Sequence, residues 1–154
     1  MKNKIQLFVY DFDGVFTNNK VFVDENGKES VICNKSDGLA VDLIRKLGYK
    51  QIILSSEKNN VVLRRAEKLK LEAYNRVSNK LKFLKKYLAE QNLKFENVAY
   101  VGNDINDEEA MKECAHVFCP IDSYKSILEI SDEIIPVKGG DGVIRYIAEK
   151  LNNI

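Results

Sequence analysis

The sequence has no excess of charge of either sign, with 24 Lys plus Arg against 23 Asp plus Glu. That balance recommends neither a nucleic acid nor an anionic membrane as partner, so any anion must be held by a local site. There is no uncharged apolar run approaching the roughly 18 residues that suggest a membrane span. The start, Met1-Lys2-Asn3-Lys4, is basic, but the apolar run behind it stops at Asp11 with no small-residue cleavage pattern, so no signal peptide is expected. Cysteine is scarce and odd in number. Cys33, Cys114 and Cys119 show no CxxC spacing and sit in apolar contexts, which points to reduced thiols, small buried hydrophobes and a cytoplasmic protein. The one histidine, His116, stands in an apolar run and reads as a core or edge residue. Pro/Gly/Ser-rich linkers, low-complexity tracts and internal repeats are missing too. With 154 residues, 45% of them apolar, one domain around one core is expected.

What is present is an alternation. Apolar runs of strand length recur at Ile5 to Tyr10, Gln51 to Ser55, Asn97 to Val101 and His116 to Cys119. Between them lie stretches of helical spacing: Leu39, Leu43, Ile44 and Leu47 ending at Gly48; Val61, Val62, Ala66 and Leu69; and Leu81, Leu84 and Leu88. A third strand region is placed near Tyr74. Glu133 to Val137 resumes the strand pattern, and Val143 to Leu151 forms a last helix after Gly139-Gly140-Asp141-Gly142. The fold class this predicts is α/β, a doubly wound parallel sheet covered on both faces. Lys20 to Asp24 and Glu29 to Cys33, around Glu25-Asn26-Gly27-Lys28, break the alternation and predict a β-hairpin beside the carboxyl edge of the sheet.

In open α/β sheets ligands bind at the carboxyl ends of the strands. There the chain carries Asp11-Phe12-Asp13-Gly14-Val15-Phe16-Thr17, then Ser55-Ser56-Glu57-Lys58, then Gly102-Asn103-Asp104-Ile105-Asn106-Asp107. Two carboxylates two residues apart, just past a buried strand, repel unless a cation or proton lies between them. With Asp104 and Asp107 nearby, a hard cation is the economical resolution, and magnesium suits a phosphoryl-transfer site. A carboxylate can also attack phosphorus, giving an acyl phosphate that water hydrolyses.

These residues resemble the motifs of haloacid dehalogenase phosphatases. Asp11 to Thr17 looks like the first motif, DxDGVxT; Ser55 matches the second, Lys80 in Ser78-Asn79-Lys80-Leu81 the third, and Gly102 to Asp107 the fourth. Ser36-Asp37-Gly38, Glu96 to Gly102 and Gly139 to Gly142 carry a closer resemblance to the small branch without a cap domain. That branch contains 3-deoxy-octulosonate 8-phosphate phosphatases, nonulosonate 9-phosphate phosphatases and the C-terminal domain of some sialic acid cytidylyltransferases. The resemblance implies Asp11 as nucleophile and metal ligand, and Asp13 as acid/base whose carbonyl also meets the metal. Ser55 would bond the phosphoryl oxygens and Lys80 would balance the phosphoaspartate. Mg2+ would be held by Asp11 and Asp13 with Asn103 or Asp104, and Asp107 would be associated with the site. Thr17, Ser56, Glu57, Arg64 and Lys68 would contact substrate, a sugar phosphate, with Glu57 and Arg64 leaning toward nine-carbon over eight-carbon acids. The pattern departs at Asn103, where the family has Asp, at Asn18-Asn19 for Asp-Gly, at Ser56 for Gly and at Asp141 for Arg. The branch further implies a homotetramer whose hairpins pack together and whose Gly139–Gly142 segment reaches across an interface.

Blander readings stand beside these. Asp11 and Asp13 could cap turns, Lys80 could belong with the solvated Lys82, Lys85 and Lys86, and Arg64 and Lys68 could be a solvated helix face. A phosphoacceptor signalling domain fits poorly, since its acid should follow the third strand. An inactive tetramerisation domain beside a sugar-acid cytidylyltransferase is the alternative that Asn103 motivates.

Overall fold

The computed structural model describes residues 4–152, so Met1 to Asn3 of the basic start lie outside the described residues. The apolar runs form a six-stranded parallel sheet in the order β5-β4-β1-β6-β7-β8. Its strands are β1 (Leu7–Tyr10), β4 (Lys50–Leu54), β5 (Glu72–Tyr74), β6 (Val98–Val101), β7 (His116–Pro120) and β8 (Glu133–Ile135). Between β1 and β4 lie a short ribbon, β2 (Phe22–Val23) with β3 (Glu29–Ser30), and helix α1 (Lys35–Lys46). The remaining helices are α2 (Val61–Leu69), α3 (Lys80–Glu90), α4 (Glu108–Glu113), α5 (Lys125–Ile130) and α6 (Val143–Asn152).

Side chains of a strand alternate between faces, and the core divides accordingly. Phe8 and Tyr10 of β1, Ile53 of β4, and Ala99 and Val101 of β6 pack with α1, α2 and α6. Leu7 and Val9, Ile52 and Leu54, and Val98 and Tyr100 pack with α3, α4 and α5. Each such side chain taken fully from water stabilises the fold by about 1.5–3 kcal/mol. The caps are local: Asn34 Oδ1 accepts from Ser36 N at 2.9 Å and Asn79 Oδ1 accepts from Lys82 N at 2.8 Å. The second of these sets the start of α3, and with it Lys80.

From β1 the chain moves outward to β4 and β5, then crosses through α3 to β6 on the other side of β1. The order therefore reverses at β1 and β6, and a crevice opens beyond their carboxyl ends. Among the described residues no cap domain is inserted; the predicted hairpin is present but shorter than expected, with Thr17 and Cys33 adding an isolated bridge below it. Among the described residues no helix is long and apolar enough to cross a membrane. Cys119 is buried, Cys33 and Cys114 are half-buried, and all three are free.

Candidate active site

The polar strand ends meet in a cleft of about 210 Å³ lined by Asp11, Asp13, Asn19, Ser55, Ser56, Glu57, Asp104 and Asn106. At its floor Lys80, almost fully buried, donates to Asp11 Oδ1 at 2.8 Å and to Asp107 Oδ1 at 2.7 Å. Asp107, with no exposed surface, also accepts from the Tyr100 hydroxyl at 2.8 Å and from the main-chain N–H of Asn103 at 3.1 Å. One carboxylate thus ties α3, β6 and the loop after β6 to the same lysine.

Two buried carboxylates share one ammonium, so a negative charge is left over. Burial, and then the charge of Asp107, push Asp11 up to about 7 against the pull of Lys80. Burial alone would lower Lys80, but Asp11 and Asp107 outweigh it and hold its pKa above the usual value. Burial also raises Asp13, with Glu57 and Glu29 adding to it and the Thr17 bond opposing it. The site therefore favours one more positive charge.

Oxygens for a cation are at hand. One end of the Asn103 side-chain amide sits 2.9 Å from both the Asp13 carbonyl oxygen and Asp11 Oδ2. Octahedral magnesium holds oxygens at about 2.0–2.1 Å, so neighbouring ligands lie about 2.9 Å apart. Among the described residues no three His, Cys, Asp or Glu side chains cluster as a metal site. The fitting donors are instead one carboxylate, one main-chain carbonyl and one amide. Asp104 lines the cleft, but its Oδ1 accepts from Ile105 N at 2.7 Å, so the convergent third group is Asn103.

Some expected contacts fall elsewhere. Thr17 is fully buried; its hydroxyl donates to Asp13 Oδ1 at 3.1 Å and accepts from Gly14 N at 3.2 Å and Asn19 N at 3.1 Å. These bonds hold it within its own loop, against the Asp13 carboxyl. Arg64 is exposed and pairs with Glu67, while Lys68 lines a separate groove with Lys35, Arg65 and Lys70 between α1 and α2. Neither lines the cleft of its own chain, because α2 begins after the cleft loop and turns these side chains away. Ser56 and Glu57 do line it, and Ser56 Oγ accepts from Asn106 Nδ2 at 3.2 Å. Asn19, Asn106 and Tyr100 are site neighbours that strand-end reading did not single out. Tyr100 was legible only through its alternation with Ala99 and Val101.

A family model for haloacid dehalogenase-like hydrolases matches residues 42–147. The structure of a HAD family hydrolase from Streptomyces avermitilis MA-4680 is 36% identical, covers 95% of this chain and 84% of that one, and superposes with a TM-score of 0.92. The 3-deoxy-D-manno-octulosonate 8-phosphate phosphatase KdsC of Escherichia coli K12 is 27% identical, over 96% of this chain and 79% of its own length. A Moraxella catarrhalis phosphatase of the same description, solved with magnesium, phosphate and KDO, shares the fold at 24% identity and a TM-score of 0.92, over 97% of this chain and 87% of that one. By the family match over most of its length, and by the HAD relative that covers nearly all of it, this chain belongs to the haloacid dehalogenase-like hydrolases.

Proposed function

We propose that the chain is a magnesium-dependent phosphomonoesterase that removes the terminal phosphate of a 2-keto-3-deoxy sugar acid through a phosphorylated Asp11. The observation that carries this is the convergence of Asp11, Asp13, Lys80 and the Asn103 amide beyond the carboxyl ends of β1 and β6. The named relatives support the sugar-acid class and favour catalysis over the assembly-domain reading. By their names they point to an eight-carbon acid, while of the two residues that leaned toward nine carbons Glu57 lines the cleft and Arg64 does not.

In this reading Asp11 attacks phosphorus, forming an aspartyl phosphate as the bond from phosphorus to the sugar oxygen breaks. Asp13 gives the departing oxygen its proton. Its raised pKa suits that task. Asp13 then takes a proton from water, whose oxygen attacks phosphorus and releases phosphate and Asp11. Ser55 Oγ accepts from Glu57 N at 3.2 Å, which leaves its hydrogen free for a phosphoryl oxygen. Lys80 balances charge on Asp11 throughout. Magnesium, held by Asp11, the Asp13 carbonyl and Asn103, would neutralise charge on the phosphoryl group when bound.

A cytoplasmic setting suits three free thiols. The cleft is open and no cap covers it, so we take the working form to be a homotetramer in which neighbours help to exclude water. Phosphate release from octulosonate 8-phosphate, nonulosonate 9-phosphate and a small artificial phosphoester, each with magnesium, is the test. Asp11→Asn keeps the side-chain shape and should abolish release; a parent protein that does no better than this variant on every substrate would end the proposal.

A further inference from the structure

Asn103 is buried, and its amide sits directly against Gly14. A Cβ at Gly14, whose φ is +86°, would come 1.9 Å from one amide end, so only glycine leaves the amide this room. The inward end faces only acceptors, the Asp13 carbonyl and Asp11 Oδ2, each at 2.9 Å; the opposite end faces only donors. An amide nitrogen carries two hydrogens and an amide oxygen none. With nitrogen inward, both hydrogens are used, one on each acceptor, and the outward oxygen meets its donors. With oxygen inward, three oxygens crowd together in a buried place and need a cation among them.

The two arrangements have the same size. A normal N–H···O bond is about 2.9 Å long, and so is the edge between neighbouring oxygens around octahedral magnesium. A half-turn about the bond between Cβ and Cγ exchanges one for the other without moving the main chain. Aspartate cannot do this, because both of its ends are oxygen.

We propose that Asn103 is a two-state positioning residue for the cation site. Nitrogen inward, it stands in for the cation and holds Asp11 and the Asp13 carbonyl in ligand spacing; oxygen inward, it becomes a ligand. This rests on the magnesium reading above. The consequence is a site that keeps its shape without the cation, at the expense of an anionic ligand.

The test pairs Asn103→Asp with NMR of the wild-type protein. Without magnesium the variant should unfold roughly 5 °C below wild type, since a further carboxylate faces Asp11 with no hydrogen between. Magnesium should raise the midpoint of the variant more than that of wild type. In 15N-labelled wild type, the Asn103 side-chain amide pair, assigned by its absence from the variant, should be slow to exchange without magnesium. On titration both signals should shift as those hydrogen bonds are released. A variant that folds only with magnesium supports the proposal, and the wild-type signals remain to refute it. Calorimetry separates two failures. If magnesium binds but the amide signals do not move, or the metal-free variant matches wild type, the two-state amide is wrong and the metal reading stands. If no magnesium binds to either protein, the metal reading fails and this proposal with it.

Discussion

Gly139 packs against Gly14 so closely that a Cβ at position 139 would lie 2.1 Å from the Gly14 carbonyl oxygen. Beside it Gly140 N donates to Val15 O at 3.0 Å, and Gly139 N donates to Asp122 Oδ1 at 2.9 Å. The segment from Gly139 to Gly142, expected to reach across a subunit interface, is bound in its own chain to the turn that carries Asp13. Gly139→Ala must push that turn aside. Overpacking of this kind typically costs about 1–3 kcal/mol, and turnover should fall more than the substrate KM rises. Denaturant titration and steady-state kinetics check both; an alanine variant equal to wild type in midpoint and kcat would show that the contact is not needed.

Lys80→Met leaves Asp11 and Asp107 buried together without their shared ammonium. Breaking a buried ion pair by removing one partner costs about 3–5 kcal/mol. The loss should appear in urea titrations at neutral pH, together with loss of phosphatase activity. Adding Asp107→Asn should restore part of the stability and none of the activity. A double variant no more stable than the single one would mean that the cost lies in packing rather than charge.

The central strands were legible because β1 and β6 are wholly buried, so continuous apolar runs had no other plausible home. The helices α4 and α5 were not, since six residues each give too little periodicity to stand out. β5 is a three-residue edge strand that is only partly buried, and its pattern is weak. In the site, Asp11, Asp13, Ser55 and Glu57 could be placed by strand ends alone. The role of Thr17 could not, because it depends on which way the hydroxyl turns within one tight loop. The contact between Gly139 and Gly14 joins distant parts of the chain, and spacing carries no sign of it.

Asp37, in Ser36-Asp37-Gly38, lies in the first turn of α1 and is fully buried against the start of α6. Its Oδ1 accepts from Arg145 N at 3.0 Å, while its Oδ2 is buried with no partner. Burial pushes Asp37 from the ordinary 3.8 up to about 6, against the nearby main-chain N–H groups of Arg145 and Ile144 and the charge of Arg65. Because the folded state holds this proton more tightly than the unfolded one, the stabilisation is full below about pH 3.8 and is lost as pH rises through about 6. The whole effect is about 3 kcal/mol. Asp37→Asn keeps an acceptor for α6 and does not titrate, so its stability relative to wild type should improve from pH 4.5 to pH 7.5. Urea midpoints at the two pH values decide it, and a variant that loses ground as pH rises would reverse the sign.

The ribbon of β2 and β3 leaves Phe22 and Ile32 each 72% exposed, with Val21 and Val23 about half exposed beside them. Its turn is well made, since Asp24 Oδ1 accepts from Asn26 N and Lys28 N, both at 2.9 Å. It is also tied to the cleft: Asn59 Nδ2 donates to Glu29 Oε2 at 2.7 Å and reaches Glu57 Oε2 at 3.3 Å. Yet an isolated two-stranded hairpin is only marginally stable in water, and apolar side chains of this size gain about 1.5–3 kcal/mol each when fully covered. Packing of ribbons between subunits answers both needs and places a neighbour beside each cleft. Light scattering at micromolar concentration should therefore give a tetramer of the 17.6 kDa chain. The double substitution Phe22→Ser, Ile32→Ser should shift it to smaller species. Turnover of the sugar phosphate should then fall further than turnover of a small artificial phosphoester, because only the larger substrate extends past the cleft to the neighbour. A clean monomer with full activity on the sugar phosphate would sink the shared-site model.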